Sequence, residues 1–162
     1  WESVCFYEFV RTHTTMVTPK ELTQLEAENL MEMVIDFPGG SRVDAHFGAF
    51  SVMTDQPPVA SAPTPFATFL ASIGTCAGIY VLGFCQQRGL PTDGIRIVQR
   101  MHSNPFTGMV GQIDLEIQVP PTFPEKYTPA LVRAAELCAV KKHFENPPQF
   151  EVYARTAELV PA

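Results

Sequence analysis

The amino-acid sequence predicts an α+β fold in which antiparallel β-hairpins pack on two central helices. Two observations carry this prediction: two pairs of alternating apolar and polar runs, each joined by a turn sequence, and two apolar stretches that each begin with Thr-Pro. Alternation with a period of two is typical of strands with one buried face, and Pro at the first helical position favours a helix start. The order hairpin, long helix, hairpin, helix, strand suits helices on one side of antiparallel strands.

The two predicted hairpins are separated by the first helix. The first joins residues 31–37 to residues 42–54, and the second joins residues 94–103 to residues 110–119. The turns are rich in Pro and Gly, as hairpin connections commonly are. Along the second strand, apolar and polar side chains alternate over Val43, Asp44, Ala45, His46 and Phe47. One face of this hairpin is therefore expected to be buried.

The first predicted helix begins at Pro65, with Thr64 as its N-cap, and ends before Gly89. No charged residue occurs from Gln56 to Gln87, so this helix is apolar on all sides and belongs either in a core or in a membrane. At about 1.5 Å per residue it is long enough to span a bilayer. However, no basic cluster flanks it, and hydroxyl side chains interrupt it, which favours a fully buried core helix.

The second predicted helix covers residues 128–144, with Thr128 as its cap and Pro129 at its first position. A final strand is predicted over residues 149–154. We interpret residues 1–30 as an N-terminal extension with a short helix over residues 18–29. Residues 1–15 are expected to be disordered or foreign to the native protein, and residues 31–162 are expected to form the main domain.

Composition excludes several classes of protein. Of the 162 residues, 46% are apolar and 17% are charged, which is typical of a globular chain, and the formal charge of −6 disfavours nucleic acid as a partner. The four cysteines form no CxxC pair, and no signal peptide is evident, so we expect a reducing, cytoplasmic location. The histidines show no ligand spacing, so no metal is expected. Neither Ser41 nor Ser51 has a partner evident from the sequence.

Cys76 and Cys138 are the candidate chemical residues, one on each predicted helix. Each helix must pack inward, so each thiol has mainly apolar neighbours. Taken alone, a buried cysteine is usually a small hydrophobe, and that interpretation is kept for Cys85, on the opposite side of the first helix from Cys76. From the residues alone, the reactivity of the Cys76 and Cys138 thiols stays open.

Two segments resemble a known family. TPFATFLASIGTCAG, which contains Cys76, resembles the first cysteine motif of the OsmC/Ohr family of organic hydroperoxide reductases, and LCAVKKHFENPP, which contains Cys138, resembles the second. The resemblance covers residues 31–154. It implies an OsmC-like fold, an intertwined homodimer, and a thiol peroxidase of the oxidative stress response. Cys76 would become a sulfenic acid, Cys138 would close a disulfide with it, and an external dithiol would reduce both, with no cofactor and no membrane partner.

The resemblance also implies further site residues. An arginine should stabilise the Cys76 thiolate, and Arg42 is the candidate. In the family a glutamate holds this arginine, but Phe66 occupies the corresponding position here, so Asp44 is an alternative holder. The hydroperoxide is expected to bind against Phe66 and against apolar residues that share the helical stripe of Cys76, namely Phe69, Ile73 and Tyr80. The alternative is that the chain is a non-catalytic OsmC-like protein that binds a small apolar ligand in the same pocket. The presence of Phe66 where the family has a glutamate favours this alternative.

Overall fold

The computed structural model describes residues 31–58 and 60–156, which form two compact units that divide between Met53 and Thr54. The mixture of antiparallel hairpins and helices confirms the predicted α+β class. The predicted N-terminal extension (residues 1–30) and its short helix lie outside the described residues. The predicted boundary between residues 30 and 31 therefore stays a prediction.

The first unit contains an antiparallel sheet with the strand order β1–β2–β3. Its strands are β1 (Val34–Gly39), β2 (Arg42–Phe47) and β3 (Phe50–Val52). The single strand predicted over residues 42–54 is therefore wrong. Gly48 has a φ of 55°, which glycine adopts readily, and at this point the chain turns back on itself. The turn places Ser51 directly opposite His46.

The second unit begins with a loop and the long helix α1 (Pro65–Gln87). The predicted cap is confirmed, because Oγ1 of Thr64 accepts a hydrogen bond from the backbone N–H of Ala67 at 3.1 Å. The helix ends at Gln87, and Gly89, with a φ of 62°, follows its C-cap Arg88. The predicted second hairpin is also confirmed, as β4 (Arg96–Ser103) and β5 (Val110–Gln118) pair antiparallel.

The prediction of one continuous helix over residues 128–144 is wrong. After a single 3₁₀ turn (Glu125–Tyr127), the chain forms α2 (Thr128–Glu136) and then α3 (Ala139–Glu145). Between them, Cys138 leaves the helical conformation, with φ −47° and ψ 119°. The final strand predicted over residues 149–154 is also absent, since this segment has no strand partner among the described residues.

The core of the second unit lies where α1, α2 and the β4–β5 hairpin meet. Its buried members are Ala77, Val81, Phe84, Cys85, Phe123, Leu131, Ala135 and Cys138. The expectation that α1 is fully buried is wrong within this chain, because large apolar side chains stay exposed at two places: Phe66 and Phe69 near its start, and Ile79 and Leu82 further along. Among the described helices, α1 alone has the length and apolar composition of a membrane span.

Candidate active site

Cys138 lies at the junction of α2 and α3 and faces the middle of α1. It is fully buried, and its sulfur lies 3.8 Å from the carbonyl oxygen of Ile73, which accepts the S–H. Ile73 precedes Cys76 by almost one helical turn, so this contact places Cys138 against the turn that carries Cys76. The side chains of Cys76 and Cys138 interact here, so the two predicted thiols are neighbours.

The surroundings of Cys138 favour its protonated form. Burial raises the pKa of the Cys138 thiol, and the neighbouring Cys76 side chain raises it further. The backbone N–H groups of Lys141 and Val140 oppose this shift without reversing it. Cys138 is therefore a neutral thiol at neutral pH.

Cys76 is more accessible than Cys138. It is partly buried at the edge of the core cluster, whereas Cys138 has an exposed fraction of 0%. Both thiols are reduced in this structure. A reagent from solvent therefore reaches Cys76 before Cys138.

The residues predicted to bind substrate differ in their exposure. Ile73 is buried and Tyr80 is partly buried, whereas Phe66 and Phe69 are exposed. The rings of Phe66 and Phe69 stack with centroids 5.9 Å apart, and Phe144 of α3 meets Phe69 edge-on at 5.6 Å. We call Phe66, Phe69 and Phe144 the aromatic cluster. Sequence reasoning missed Phe144, although it is a lone aromatic residue directly after Lys141, Lys142 and His143.

Arg42 lies on β2 in the first unit, where its guanidinium forms an ion pair with Asp44. The side chain of Asp44 is only 6% exposed, whereas that of Arg42 is 36% exposed. Asp44, the alternative holder, therefore does hold Arg42. The Nε of Arg42 is buried without a hydrogen-bond partner among the described residues. The action of Arg42 on the Cys76 thiolate stays a prediction.

Cys85 fits its interpretation as a core residue. It is fully buried, and burial raises the pKa of its thiol, although the charge of Arg88 acts in the opposite direction. Within residues 31–58 and 60–156, no group of three or more His, Cys, Asp or Glu side chains has the geometry of a metal site.

A second surface of α1 forms an open groove of about 480 Å³ with β4. Small residues of α1 line it, including Ala71, Gly74 and Gly78. At one side the Gln99 amide donates a hydrogen bond to the carbonyl oxygen of Leu70 at 3.0 Å. A Cβ at Gly74 would lie 2.7 Å from Oε1 of Gln99, so glycine leaves room for the Gln99 amide at this position.

Comparison with solved structures shows the same fold in three bacterial proteins. An OsmC-like protein from Mycoplasma pneumoniae is 15% identical with a TM-score of 0.56, covering 74% of this chain and 90% of its own. A Psychrobacter arcticus protein, provisionally described as an osmotic stress induced and detoxification response protein, is 16% identical with a TM-score of 0.56, covering 70% and 88%. A hypothetical protein from Aquifex aeolicus is 15% identical with a TM-score of 0.55, covering 74% and 89%.

Comparison of the sequence with known proteins and protein families identifies its family. No curated protein matches the chain at a significant level. The family model of the OsmC-like proteins, however, matches residues 58–153, which is more than half of the chain and includes both Cys76 and Cys138. This match confirms the resemblance of the two cysteine motifs, and the chain therefore belongs to the OsmC-like protein family.

Proposed function

We propose that this protein is a thiol peroxidase that reduces organic hydroperoxides to alcohols. Membership of the OsmC-like family supports a stress-response role of the peroxidase type. The observation that carries the finer proposal is the pairing of a partly accessible Cys76 with a buried, protonated Cys138. A reactive thiol with a second thiol beside it is the arrangement that a disulfide-forming peroxidase needs.

The proposed reaction has two steps at the thiols. The Cys76 thiolate attacks the distal peroxide oxygen, the O–O bond breaks, and the alkoxide takes up a proton and leaves as the alcohol. Cys76 is then a sulfenic acid. The sulfur of Cys138 attacks the sulfur of Cys76, water leaves with the sulfenic oxygen and the proton of Cys138, and a disulfide forms. An external dithiol reduces this disulfide by thiol–disulfide exchange, so no bound cofactor is required.

Arg42 is the proposed cation for the Cys76 thiolate. A guanidinium near a thiol lowers its pKa, which offsets the effect of apolar surroundings. Since Phe66 cannot accept a hydrogen bond from an arginine, the anchor in this proposal is Asp44, its ion-pair partner on β2. A glutamate at position 66 would hold the arginine from the helix that carries Cys76, whereas Asp44 holds Arg42 from its own strand. The thiolate therefore loses a positive neighbour fixed from its own helix, and we expect a slower peroxidase than relatives that carry the glutamate.

Turnover measurements test the proposal against the alternative of a non-catalytic protein that binds an apolar ligand. The full chain should consume cumene hydroperoxide in the presence of a dithiol, releasing one alcohol for each hydroperoxide. It should consume hydrogen peroxide more slowly, because hydrogen peroxide offers no apolar group to bind. Tight, saturable binding of cumyl alcohol without any consumption of the hydroperoxide would favour the alternative, for which the exposed aromatic cluster is the supporting observation.

The aromatic cluster is the proposed binding surface for the organic part of the substrate. Replacing Phe144 with alanine should lower kcat/KM for cumene hydroperoxide about 2- to 12-fold, since one aromatic pair contributes about 0.5–1.5 kcal/mol. The value for hydrogen peroxide should not change. The matched control is Phe106→Ala, which removes a ring that is 96% exposed on the β4–β5 turn. Equal losses for both peroxides would contradict this assignment.

The proposed assembly is a homodimer in which a second copy covers the groove of α1 and the face of this helix that exposes Ile79 and Leu82. Apolar patches of this kind are rarely left open to water in a monomer. Light scattering at micromolar concentration should give twice the mass of the chain, and two-fold symmetry is expected.

A charge on this face should dissociate the dimer. Leu82 lines the groove and is 41% exposed, so Leu82→Glu would bury a carboxylate in the interface and should shift the scattering mass toward that of one chain. Met109→Glu is the control, because it adds the same charge at a residue of the β4–β5 turn that is 71% exposed. A monomeric wild-type protein would contradict the proposed assembly.

A further inference from the structure

The first unit carries a second chemical arrangement, formed by Ser51, His46 and Asp36. Nδ1 of His46 lies 2.8 Å from Oγ of Ser51, and Nε2 of the same ring lies 3.3 Å from Oδ2 of Asp36. A histidine therefore stands between a hydroxyl and a carboxylate, as in the constellation that activates a serine nucleophile. None of these residues takes part in the thiol chemistry proposed above.

The sheet register explains why these three side chains meet. His46 on β2 is directly opposite Ser51 on β3, and it is also opposite Val34 on β1, two residues before Asp36. Directly opposed residues and their diagonal neighbours share one face of an antiparallel sheet. All three side chains therefore lie on one face and on strands, which position them more firmly than loops would.

The geometry also gives each group a chemical role. A carboxylate beside Nε2 favours the tautomer with its proton on that nitrogen, which leaves Nδ1 free to accept the hydroxyl proton of Ser51. The ring nitrogen that faces the serine is Nδ1, and either imidazole nitrogen can act as the base when the other carries the proton. Ser51 is exposed, and the side chain of His46 is 42% exposed, so a reagent can reach the hydroxyl.

We propose that Ser51 is a second nucleophile of this protein, which accepts acyl groups from activated esters or thioesters. Oγ of Ser51 forms a bond to the carbonyl carbon as its proton moves to Nδ1 of His46. The bond from that carbon to the leaving oxygen or sulfur then breaks, and the leaving group takes the proton from His46. The products are an ester on Ser51 and a free alcohol or thiol, without any oxidant or reductant. This proposal is independent of the peroxidase function.

Acetylation by p-nitrophenyl acetate tests the proposal on the full chain. Release of p-nitrophenolate gives the rate, and peptide mass mapping locates the acetyl groups. Sensitivity to hydroxylamine separates serine esters from lysine amides. Ser51 should be acetylated about 10²-fold faster than Ser41, an exposed serine of the same unit, which is the low end of the effect of a positioned general base.

Three variants separate activation from a merely structural hydrogen bond. Ser51→Ala should remove the ester and leave hydroperoxide turnover unchanged. His46→Gln, which still can form hydrogen bonds, should lower the Ser51 rate to that of Ser41, and Asp36→Asn should lower it several-fold. The proposal is overturned if Ser51 reacts no faster than Ser41 in the unmodified protein. It is also overturned if the His46 and Asp36 variants acetylate Ser51 at the unmodified rate while retaining their circular dichroism spectra.

Discussion

Replacing Cys76 with serine is expected to lower hydroperoxide turnover by about 10³-fold or more. A serine hydroxyl does not ionise near neutral pH, so the variant lacks the nucleophile on which every later step depends. Turnover of cumene hydroperoxide with a dithiol measures the loss. The control is Cys85→Ala, which removes a buried thiol outside the proposed reaction and should retain turnover.

Cys138→Ser should behave differently from Cys76→Ser. The first hydroperoxide should still be reduced, because Cys76 remains, but the sulfenic acid should persist and be trapped by dimedone. In the unmodified protein, disulfide closure should accelerate as the pH rises into the alkaline range. The reason is that burial raises the pKa of Cys138, so that its reactive thiolate is scarce below that pKa. Full turnover in folded Cys76→Ser would refute the assignment of Cys76.

Leu131→Ala should lower the free energy of unfolding by about 3–5 kcal/mol, the range for truncating a well-packed leucine. Leu131 is 1% exposed and belongs to the cluster in which α2 packs on α1 beside Cys138. Its neighbour Val132 is 45% exposed, so Val132→Ala is a matched control that should cost less than about 1 kcal/mol. Urea unfolding of both variants measures the difference. Equal losses would show that this cluster does not hold α2 on α1.

The parts of the fold that the sequence could predict are those with local causes. Thr64 caps α1 because its side chain reaches an N–H three residues ahead, and Gly89 ends the helix because it adopts a positive φ. The alternation along β4 and β5 likewise reflects contacts within one hairpin. The resemblance of two motifs predicts the pairing of Cys76 with Cys138, because no local pattern relates residues so distant in sequence.

The errors arose where distant contacts decide the conformation. Residues 128–144 have the composition of one helix, but the helix is interrupted at Cys138, whose sulfur faces Ile73 of α1. A strand over residues 149–154 needs a neighbouring strand to pair with, and the residue pattern of the segment does not show whether one is present. The sequence shows no partner for Ser51, because the contact of Ser51 with His46 depends on the turn at Gly48. That turn lies inside residues 42–54, which the sequence pattern predicts as a single strand.

The central claim is that Cys76 and Cys138 form a disulfide during the reaction with a hydroperoxide, and mass spectrometry under non-reducing conditions tests it most directly. The full chain should be treated with one equivalent of cumene hydroperoxide, alkylated and digested. The account predicts that a cross-linked peptide containing Cys76 and Cys138 appears, accompanied by a loss of two hydrogens, and that a dithiol removes it. Cys76 and Cys138 recovered as alkylated thiols after the hydroperoxide has been consumed, or Cys76 linked to Cys85 instead, would contradict the account.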